Sequence, residues 1–354
     1  MAVEDGKTLR RSQARFWLRG ICLALVVTLA LAYAAYVLTP KYDYGMCGML
    51  NLYRQPQNSV DVLVLGTSLA YAGVNTNVLW DEYGIAAYNL CSAEQPFWIS
   101  YYYLEEALKT QSPSLILLDA KPAVYNRDYS KEGRTILSTS GILSPLTRLN
   151  AIRACVGDEA LWEFALVLPK LHDRYDEVVA GDFILPPDNG GRGGSWKGYI
   201  EQDEHEKHVR PSLVWVETRR SINARQEQYF RMILALAQTH GIPVMLAGFP
   251  TPDYANDHMY YNTLWSIAAE YGVSGVNYND PDLRYGLRYS TDFADWQHLN
   301  VKGSVTFSRK LGEDLTAMYA LEDRRGDSAY ASYDECAALW YTAYPEYATE
   351  ENGA

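Results

Sequence analysis

The stretch that decides the fold is Asp61-Val62-Leu63-Val64-Leu65-Gly66-Thr67-Ser68. Its apolar run has no polar interruption, which is typical of a strand buried on both faces of a parallel sheet. The run ends in a turn of small residues that presents a serine. Because parallel sheets place ligands at the carboxyl ends of their strands, we expect Ser68 to lie at that edge of the sheet.

Short apolar runs alternate with stretches of helical spacing along the chain, which predicts an α/β fold with a parallel sheet. The predicted strands are Val60–Leu65, Ala86–Leu90, Leu115–Leu118, Pro243–Gly248 and Gly275–Tyr278. The predicted helices are Val78–Tyr83, Ile99–Leu108, Gln226–Thr239, a helix around Leu264–Glu270, and Val301–Tyr319.

This rhythm stops at about residues 122–211, which we interpret as an insertion in one domain of residues 41–320. The insertion contains a helical patch near Ala151–Leu171 and a loop rich in Gly and Pro at residues 186–194. No strand precedes that loop and no Gly-Lys-Ser/Thr follows it, which argues against a nucleotide site. It is interpreted as a surface loop, with a flap as the alternative. Residues 321–354 form an acidic, Tyr-rich tail with a weak helical pattern around Asp334–Ala343.

An uncharged segment rich in Ala, Leu, Val and Ile spans Gly20–Leu38 and is long enough for a transmembrane helix. Basic residues precede it, namely Lys7, Arg10, Arg11, Arg15 and Arg19. By the positive-inside rule, residues 1–19 form a cytoplasmic tail, residues 20–39 an anchor, and the rest lies outside. A cleaved signal peptide is the alternative, because Ala30-Leu31-Ala32 is A-x-A-like. The apolar run exceeds the usual signal-peptide core of about 7–15 residues, which favours a retained anchor.

Charge divides the chain in the same way. The first 39 residues carry five basic and two acidic side chains, a net charge of +3. Because the whole chain has a net charge of −12, the residues after position 39 carry −15. Nucleic-acid binding depends on a basic surface. The acidic exterior domain therefore argues against a nucleic-acid partner.

Four cysteines lie outside the anchor, at Cys47, Cys91, Cys155 and Cys336. An exterior location permits disulfides, and four cysteines allow three pairings, with buried free thiols as the alternative. Their spacing forms no metal motif. His205 and His208 lie in a charged stretch that we interpret as a solvated loop rather than a metal site. The sequence predicts no metal and no cofactor.

A second motif, Asp295-Trp296-Gln297-His298-Leu299-Asn300, follows the last predicted strand. A serine hydroxyl becomes a good nucleophile when a base takes its proton, and a carboxylate fixes the orientation of that base. Both motifs open on the same edge of the predicted sheet. We therefore predict Ser68 as nucleophile, His298 as base and Asp295 as orienting carboxylate of an acyl-transfer site; the competing interpretation is a structural turn serine.

Gly66-Thr67-Ser68 and Asp295-x-x-His298-Leu299-Asn300 resemble the first and last blocks of the SGNH/GDSL hydrolase superfamily. Asn89-Leu90 resembles the start of its second block. The resemblance covers roughly Val60–Leu315 apart from the insertion. It implies a flavodoxin-like three-layer α/β/α sandwich with a catalytic triad of Ser68, His298 and Asp295.

With its N-terminal anchor, the chain is most similar to the branch that includes teichoic-acid D-alanylation and alginate O-acetylation proteins. Members of that branch move acyl groups on and off cell-envelope polymers. The resemblance therefore implies a bacterial plasma-membrane location, a cell-envelope glycan or acylated polymer as substrate, and a membrane O-acyltransferase as a partner.

The sequence departs from the family pattern where oxyanion donors are expected. Thr67 replaces an Asp, Cys91-Ser92-Ala93-Glu94-Gln95 lacks the glycine expected after Asn89, and Asp119-Ala120-Lys121-Pro122 stands where an Asn is expected. The remaining donor candidates are the Ser68 N–H, the Asn89 amide and a backbone N–H near Ser92. Losing one donor costs about 10²–10³ in rate, so a weak hydrolase or a partner-dependent acyltransferase is as consistent with the sequence as a fast esterase.

Three classes of function remain. The first is a membrane-anchored acyl esterase or acyltransferase. The second is a catalytically weak member of the family that binds glycan through Tyr and Trp residues. The third is an assembly protein that docks a membrane O-acyltransferase through Tyr101-Tyr102-Tyr103 and the acidic tail. Ser68, Asp295 and His298 are all present, which favours the first class.

Overall fold

In a computed structural model, which describes residues 2–42, 44–125, 132–190, 194–212, 216–254 and 256–348, five strands form one parallel sheet. The strands are β1 Val62–Gly66, β2 Ala87–Cys91, β3 Leu115–Asp119, β4 Val244–Gly248 and β5 Ser274–Asn277, in the order β2-β1-β3-β4-β5. The predicted α/β class with a parallel sheet is confirmed. Each strand lies within two residues of its predicted bounds.

The helices occupy the connections between the strands and both ends of the chain. They are α1 Ala2–Leu38, α2 Met46–Leu52, α3 Ser68–Gly73, α4 Thr76–Tyr83, α5 Phe97–Ala107, α6 Glu132–Ser140, α7 Pro145–Val156, α8 Leu161–Ala165, α9 Leu168–Leu171, α10 Ala224–Thr239, α11 Asp257–Glu270, α12 Val301–Met318 and α13 Ala331–Ala343. The helix predicted around Leu264–Glu270 begins a full two turns earlier, at Asp257.

Alternate residues of the strands pack into two apolar clusters. Leu63 and Leu65 of β1 belong to a cluster that includes Phe230 of α10. Val62 and Val64 belong to the other, together with Leu79 of α4 and Phe307 and Leu311 of α12. Successive side chains of a strand point to opposite faces. The sheet is therefore covered by apolar side chains on both faces, which explains the uninterrupted apolar run of β1.

The N-terminal helix contains one segment, Arg11–Leu38, that is long and apolar enough to cross a membrane, with a mean hydropathy of 2.5 in its most apolar window. Most of its apolar side chains are exposed. The last carbonyls of a helix lack intrahelical partners. Here the guanidinium of Arg174 donates to the carbonyls of Val37 and Leu38, at 3.5 and 2.9 Å. The insertion thus holds the end of α1.

The helical patch predicted near Ala151–Leu171 is helical in the structure and is divided among three helices, α7 to α9. Gly157 ends α7 with a positive φ of 75°, which glycine adopts without steric cost. Proline at position 169 lies in the first turn of α9, where its missing N–H costs nothing. Of the predicted Gly- and Pro-rich loop, residues 191–193 lie outside the described residues.

All five cysteines are free thiols, so the free-thiol alternative is the correct one for the four outside α1. Cys47, Cys91, Cys155 and Cys336 are buried. Burial raises the pKa of both Cys155 and Cys336 to about 12. Because the thiolate is the reactive form, these thiols are shielded from oxidation and metal binding.

The C-terminal segment packs on the domain through α13. Trp340 is fully buried in a cluster with Val78 of α4 and Val301 of α12. The indole N–H of Trp80 donates to the carboxylate of Asp334 at 3.0 Å. Tyr102 and Tyr103, which the assembly interpretation uses for docking, are also buried. Many of the aromatic residues considered for partner binding therefore serve the core.

Candidate active site

The turn at Thr67 and Ser68, named the nucleophile turn after the role predicted for Ser68, joins β1 directly to α3. Thr67 has extended backbone and is the N-cap of α3, and its hydroxyl accepts the N–H of Leu69 at 3.3 Å. Ser68 is the first residue of the helix and is half-buried. Its N–H belongs to the first turn, where N–H groups lack intrahelical acceptors. The turn thus presents both the hydroxyl and the N–H of Ser68 at the carboxyl edge of the sheet.

Gly66 is required by the close approach of β3. A Cβ at this position would lie 2.5 Å from the Cβ of Asp119 and 3.1 Å from that of Ala70. Any larger residue would force β1 away from β3 at the edge where the nucleophile turn begins. This contact explains the glycine in Gly66-Thr67-Ser68 without reference to catalysis.

Asp119, at the end of β3, holds the nucleophile turn in place. Its Oδ2 accepts the backbone N–H of Thr67 at 2.9 Å and the hydroxyl of Thr67 at 2.6 Å. Its Oδ1 accepts the backbone N–H of Lys121 at 2.8 Å. The carboxyl is fully buried, and this burial raises its pKa although the three donors oppose the rise. Asp119 is therefore a positioning residue, and sequence analysis noted it only as a departure from the family pattern.

Ser68, His298 and Asp295 form one hydrogen-bonded line. The Nε2 of His298 lies 2.8 Å from the Oγ of Ser68, and its Nδ1 lies 2.8 Å from the Oδ2 of Asp295. A carboxylate only accepts hydrogen bonds, so the contact with Asp295 assigns the ring proton to Nδ1. Nε2 is then free to accept the proton of Ser68. The structure brings together the three residues that the sequence predicts for these roles.

The carboxylate of Asp295 is organised by its own loop. Its Oδ1 accepts the backbone N–H groups of Gln297 and His298, at 2.7 and 2.8 Å. Burial favours the neutral acid, but the hydrogen bonds from the His298 ring and these two N–H groups outweigh it and lower the pKa of Asp295 below its ordinary value. Asp295 is therefore ionised at neutral pH and can stabilise a charged imidazolium.

Asn300 fixes the loop to the helix that follows it. Its side-chain oxygen accepts the N–H of Gly303 as N-cap of α12, at 3.0 Å, and its amide donates to the carbonyl of Thr291 at 3.0 Å. The N–H of Ala294 donates to the carbonyl of His298 at 2.9 Å. The last two residues of the second motif, Leu299 and Asn300, thus hold the His298 backbone by packing and capping.

Two of the three proposed oxyanion donors are engaged elsewhere in the fold. The amide of Asn89 donates to the carbonyl of Val74 at 2.8 Å, and Asn89 pairs in register with Val64, two residues before the end of β1. The backbone N–H of Ser92 donates to the carbonyl of Gly66 at 3.2 Å. The Ser68 N–H remains as the donor candidate at the site.

Tyrosine rings connect the site to the end of the N-terminal helix. The side chain of Tyr71 lies near Ser68, and burial raises the pKa of Tyr71, so its phenol stays neutral. The ring of Tyr71 stacks on Tyr44 with centroids 5.4 Å apart, and Tyr44 stacks on Tyr42 at 5.5 Å. Tyr42 follows the end of α1 by four residues. The carboxyl edge of the sheet at Ser68, the Ser68 edge, therefore faces the side of the domain where α1 enters. This stack was not predicted from the sequence.

The remaining histidines do not form a second site with one another. His205 Nε2 lies 3.0 Å from the carbonyl of Ser290, and His208 lies 3.8 Å from the carboxylate of Glu206. Within the part of the chain that the structure describes, no group of three or more His, Cys, Asp or Glu side chains could hold a metal ion.

No family model matches the chain, and no curated protein is significantly similar to it. The relation to the SGNH/GDSL hydrolases therefore stays a prediction, which rests on the two motifs.

Proposed function

We propose that the chain is a membrane-anchored serine acyl esterase or acyltransferase that acts on a cell-envelope polysaccharide or lipid-linked polymer. The observation that carries this proposal is the line from Ser68 Oγ through the His298 ring to Asp295, with both contacts at 2.8 Å. This arrangement supplies nucleophile, base and orienting carboxylate in the geometry that acyl transfer requires.

The chemistry follows from these positions. His298 Nε2 takes the proton of Ser68 as its oxygen attacks the acyl carbon, and Asp295 stabilises the imidazolium that results. The Ser68 N–H donates to the oxyanion. As the ester C–O bond breaks, the His298 imidazolium protonates the departing oxygen, which leaves as an alcohol while Ser68 stays acylated. Water or a glycan hydroxyl gives its proton to His298, attacks the acyl-enzyme, and releases Ser68 with its proton restored.

The engagement of two of the three oxyanion-donor candidates favours a slow hydrolase, or a transferase whose site a partner completes, over a fast esterase. Asn89 and the Ser92 N–H are occupied, and one missing donor typically costs about 10²–10³ in rate. The same observation supports the alternative function, in which a catalytically weak chain binds glycan or assists a membrane O-acyltransferase.

The proposal includes a flavodoxin-like three-layer sandwich of the SGNH type. The strand order β2-β1-β3-β4-β5 is that of flavodoxin-like sheets. Apolar clusters on both faces of the sheet, each containing helical residues, support the layering. In such folds ligands bind at the carboxyl ends of the strands, where Ser68 and His298 meet.

The proposed location is the bacterial plasma membrane, with α1 as a single transmembrane helix, the N-terminus in the cytoplasm and residues 41–354 outside. The basic residues ahead of the apolar segment support this orientation. The close packing of the α1 end on the insertion supports a retained anchor rather than a cleaved signal peptide. The Ser68 edge would then lie near the outer face of the bilayer, where lipid-linked polymers are found.

Reporter fusions test the orientation. Alkaline phosphatase folds only outside the cytoplasm. It is expected to be active when fused after Ala354, because the basic residues of positions 1–19 keep the N-terminus in the cytoplasm. The same reporter fused after Arg19, before the apolar segment, is the matched control and is expected to be inactive. An active cytoplasmic reporter after Ala354 would show that the orientation is reversed.

Covalent labelling tests the function itself. A fluorophosphonate probe reacts with activated serines, so the native chain is expected to carry one adduct, on the peptide that contains Ser68, and to cleave a small acetyl ester slowly. The heat-denatured chain is the control and is expected to remain unlabelled, because activation depends on the folded contact with His298. A folded chain that neither labels nor turns over an ester would favour the glycan-binding or assembly function.

A further inference from the structure

The segment Leu161–Ile184 lies at the end of the N-terminal helix. Ala35 of α1 packs against a buried cluster that includes Leu161, Phe164 and Val167. Arg174 binds the last carbonyls of α1 and pairs with Asp182 through both carboxylate oxygens, at 2.9 and 3.0 Å. The segment is therefore fixed where α1 leaves the apolar span.

This segment also exposes six large apolar side chains, each at least half accessible: Trp162, Leu166, Tyr175, Val179, Phe183 and Ile184. Trp162 lies in α8, and Leu166 follows the helix directly, with its N–H donating to the carbonyl of Trp162 at 3.1 Å. Val179 and Ile184 line a cavity of about 660 Å³ together with Pro40 and Lys41, directly after α1. Six exposed large apolar side chains in one short segment, beside a helix that is long and apolar enough to span a membrane, indicate an interaction site.

The charges of the segment indicate how it would bind. Residues 161–184 contain five acidic and two basic residues. Both cations are paired, Lys170 with Glu132 and Glu163, and Arg174 with Asp182. Attraction to anionic headgroups is therefore not available, whereas Trp and Tyr are the side chains that favour the interface between lipid and water.

We propose that Leu161–Ile184 is a second membrane contact, whose exposed apolar side chains enter the outer interface of the bilayer beside α1. The inference rests on the proposed membrane location and is independent of catalysis. Two contacts at one end of the domain stop it from turning about the end of the anchor. The Tyr42–Tyr44–Tyr71 stack lies beside this contact, so the Ser68 edge is held at a fixed height above the lipid.

The test uses the full chain with Cys22→Ser, reconstituted in phosphatidylcholine bilayers, with a nitroxide attached at Phe183→Cys. The native buried thiols are shielded from the label. Leu339→Cys is the matched control, because Leu339 is an exposed apolar residue on α13. Collisions of the nitroxide with oxygen, which concentrates in lipid, are compared with collisions with a water-soluble nickel chelate.

The expected result is a higher oxygen-to-nickel ratio at position 183 than at position 339, unchanged by phosphatidylglycerol or by salt. Adding Trp162→Ser and Leu166→Ser should lower the ratio at 183 towards that of the control. These side chains are largely exposed, so the fold should survive, and thermal unfolding checks this.

Three results overturn the proposal. Equal ratios at positions 183 and 339 would place the segment in water. A ratio that rises only with anionic lipid would replace apolar insertion by electrostatic binding. Dipolar broadening between labels would show that a second copy of the chain covers the segment. Each leaves the reporter-fusion and Ser68 experiments untouched, so failure here is distinguishable from failure of the proposed function.

Discussion

Replacing Ser68 or His298 by Ala is expected to lower ester turnover and fluorophosphonate labelling to the same background level. The two side chains act through one proton transfer across the 2.8 Å contact between them. In an efficient serine hydrolase, loss of either residue costs on the order of 10⁶ in kcat, and removal of both costs little more. The double variant is therefore expected to match each single variant.

The carboxylate of Asp295 is expected to contribute less to the rate than Ser68 or His298. Asp295→Asn should leave a residue of activity, with a loss of about 10⁴ in an efficient triad, because the ring of His298 can still reach Ser68. Ser112→Ala and His240→Ala are matched controls, since both residues are exposed and outside the site, and they should retain full turnover. Losses that multiply in the double variant, or activity that persists in Ser68→Ala, would contradict a shared mechanism.

Asp119→Ala is expected to give the largest loss of stability among the site variants, roughly 3 kcal/mol or more in the free energy of unfolding. The substitution leaves the buried N–H groups of Thr67 and Lys121 without an acceptor, at about 1–3 kcal/mol for each. Asp119→Asn should lie between wild type and Ala, because an amide places an NH₂ group against one of these donors. Denaturant unfolding measures the difference.

The stability difference between wild type and Asp119→Asn is expected to depend on pH. Because burial raises the pKa of Asp119 in the folded state, its carboxyl contributes stability that is present below its unfolded pKa of about 4 and is lost as pH rises through the folded value. As the pH is lowered towards 4, the free energy of unfolding of wild type should therefore rise relative to that of Asp119→Asn. The exposed control Asp282→Asn should change stability by less than about 0.5 kcal/mol. An unfolding free energy of Asp119→Ala equal to that of wild type would remove Asp119 as the support of the nucleophile turn.

Local sequence was sufficient wherever a structure depends on neighbours in the chain. The apolar run at Val62–Leu65 favours a buried strand, because it is short, contains β-branched valines and fits a sheet covered on both faces. Asp295 and His298 are three residues apart, so a single turn brings the carboxylate to the ring nitrogen and to two backbone N–H groups. Asn300 likewise caps the helix that begins at the next residue.

The hydrogen-bond partners of buried polar groups could not be read from the sequence. Asn89 and the Ser92 N–H were reasonable oxyanion donors by position, yet the fold supplies acceptors for both, at Val74 and Gly66. A residue's identity states what it can donate, whereas the acceptor is set by segments that are distant in the chain. The burial of the tyrosines and the tryptophan of α13 could not be predicted either, because it depends on the helices against which α13 packs.

By itself the sequence determined the order of the five strands and of the longer helices between them, the apolar N-terminal segment and the two short motifs, all of which depend on periodicity and local turns. Only the tertiary structure decided that Ser68 meets His298, 230 positions away, because the parallel sheet brings the first strand and the last loop to one edge. It also decided that Asp119 supports Thr67, and that Arg174 closes the end of α1. These contacts join residues whose distance in space is fixed by packing and not by their separation along the chain.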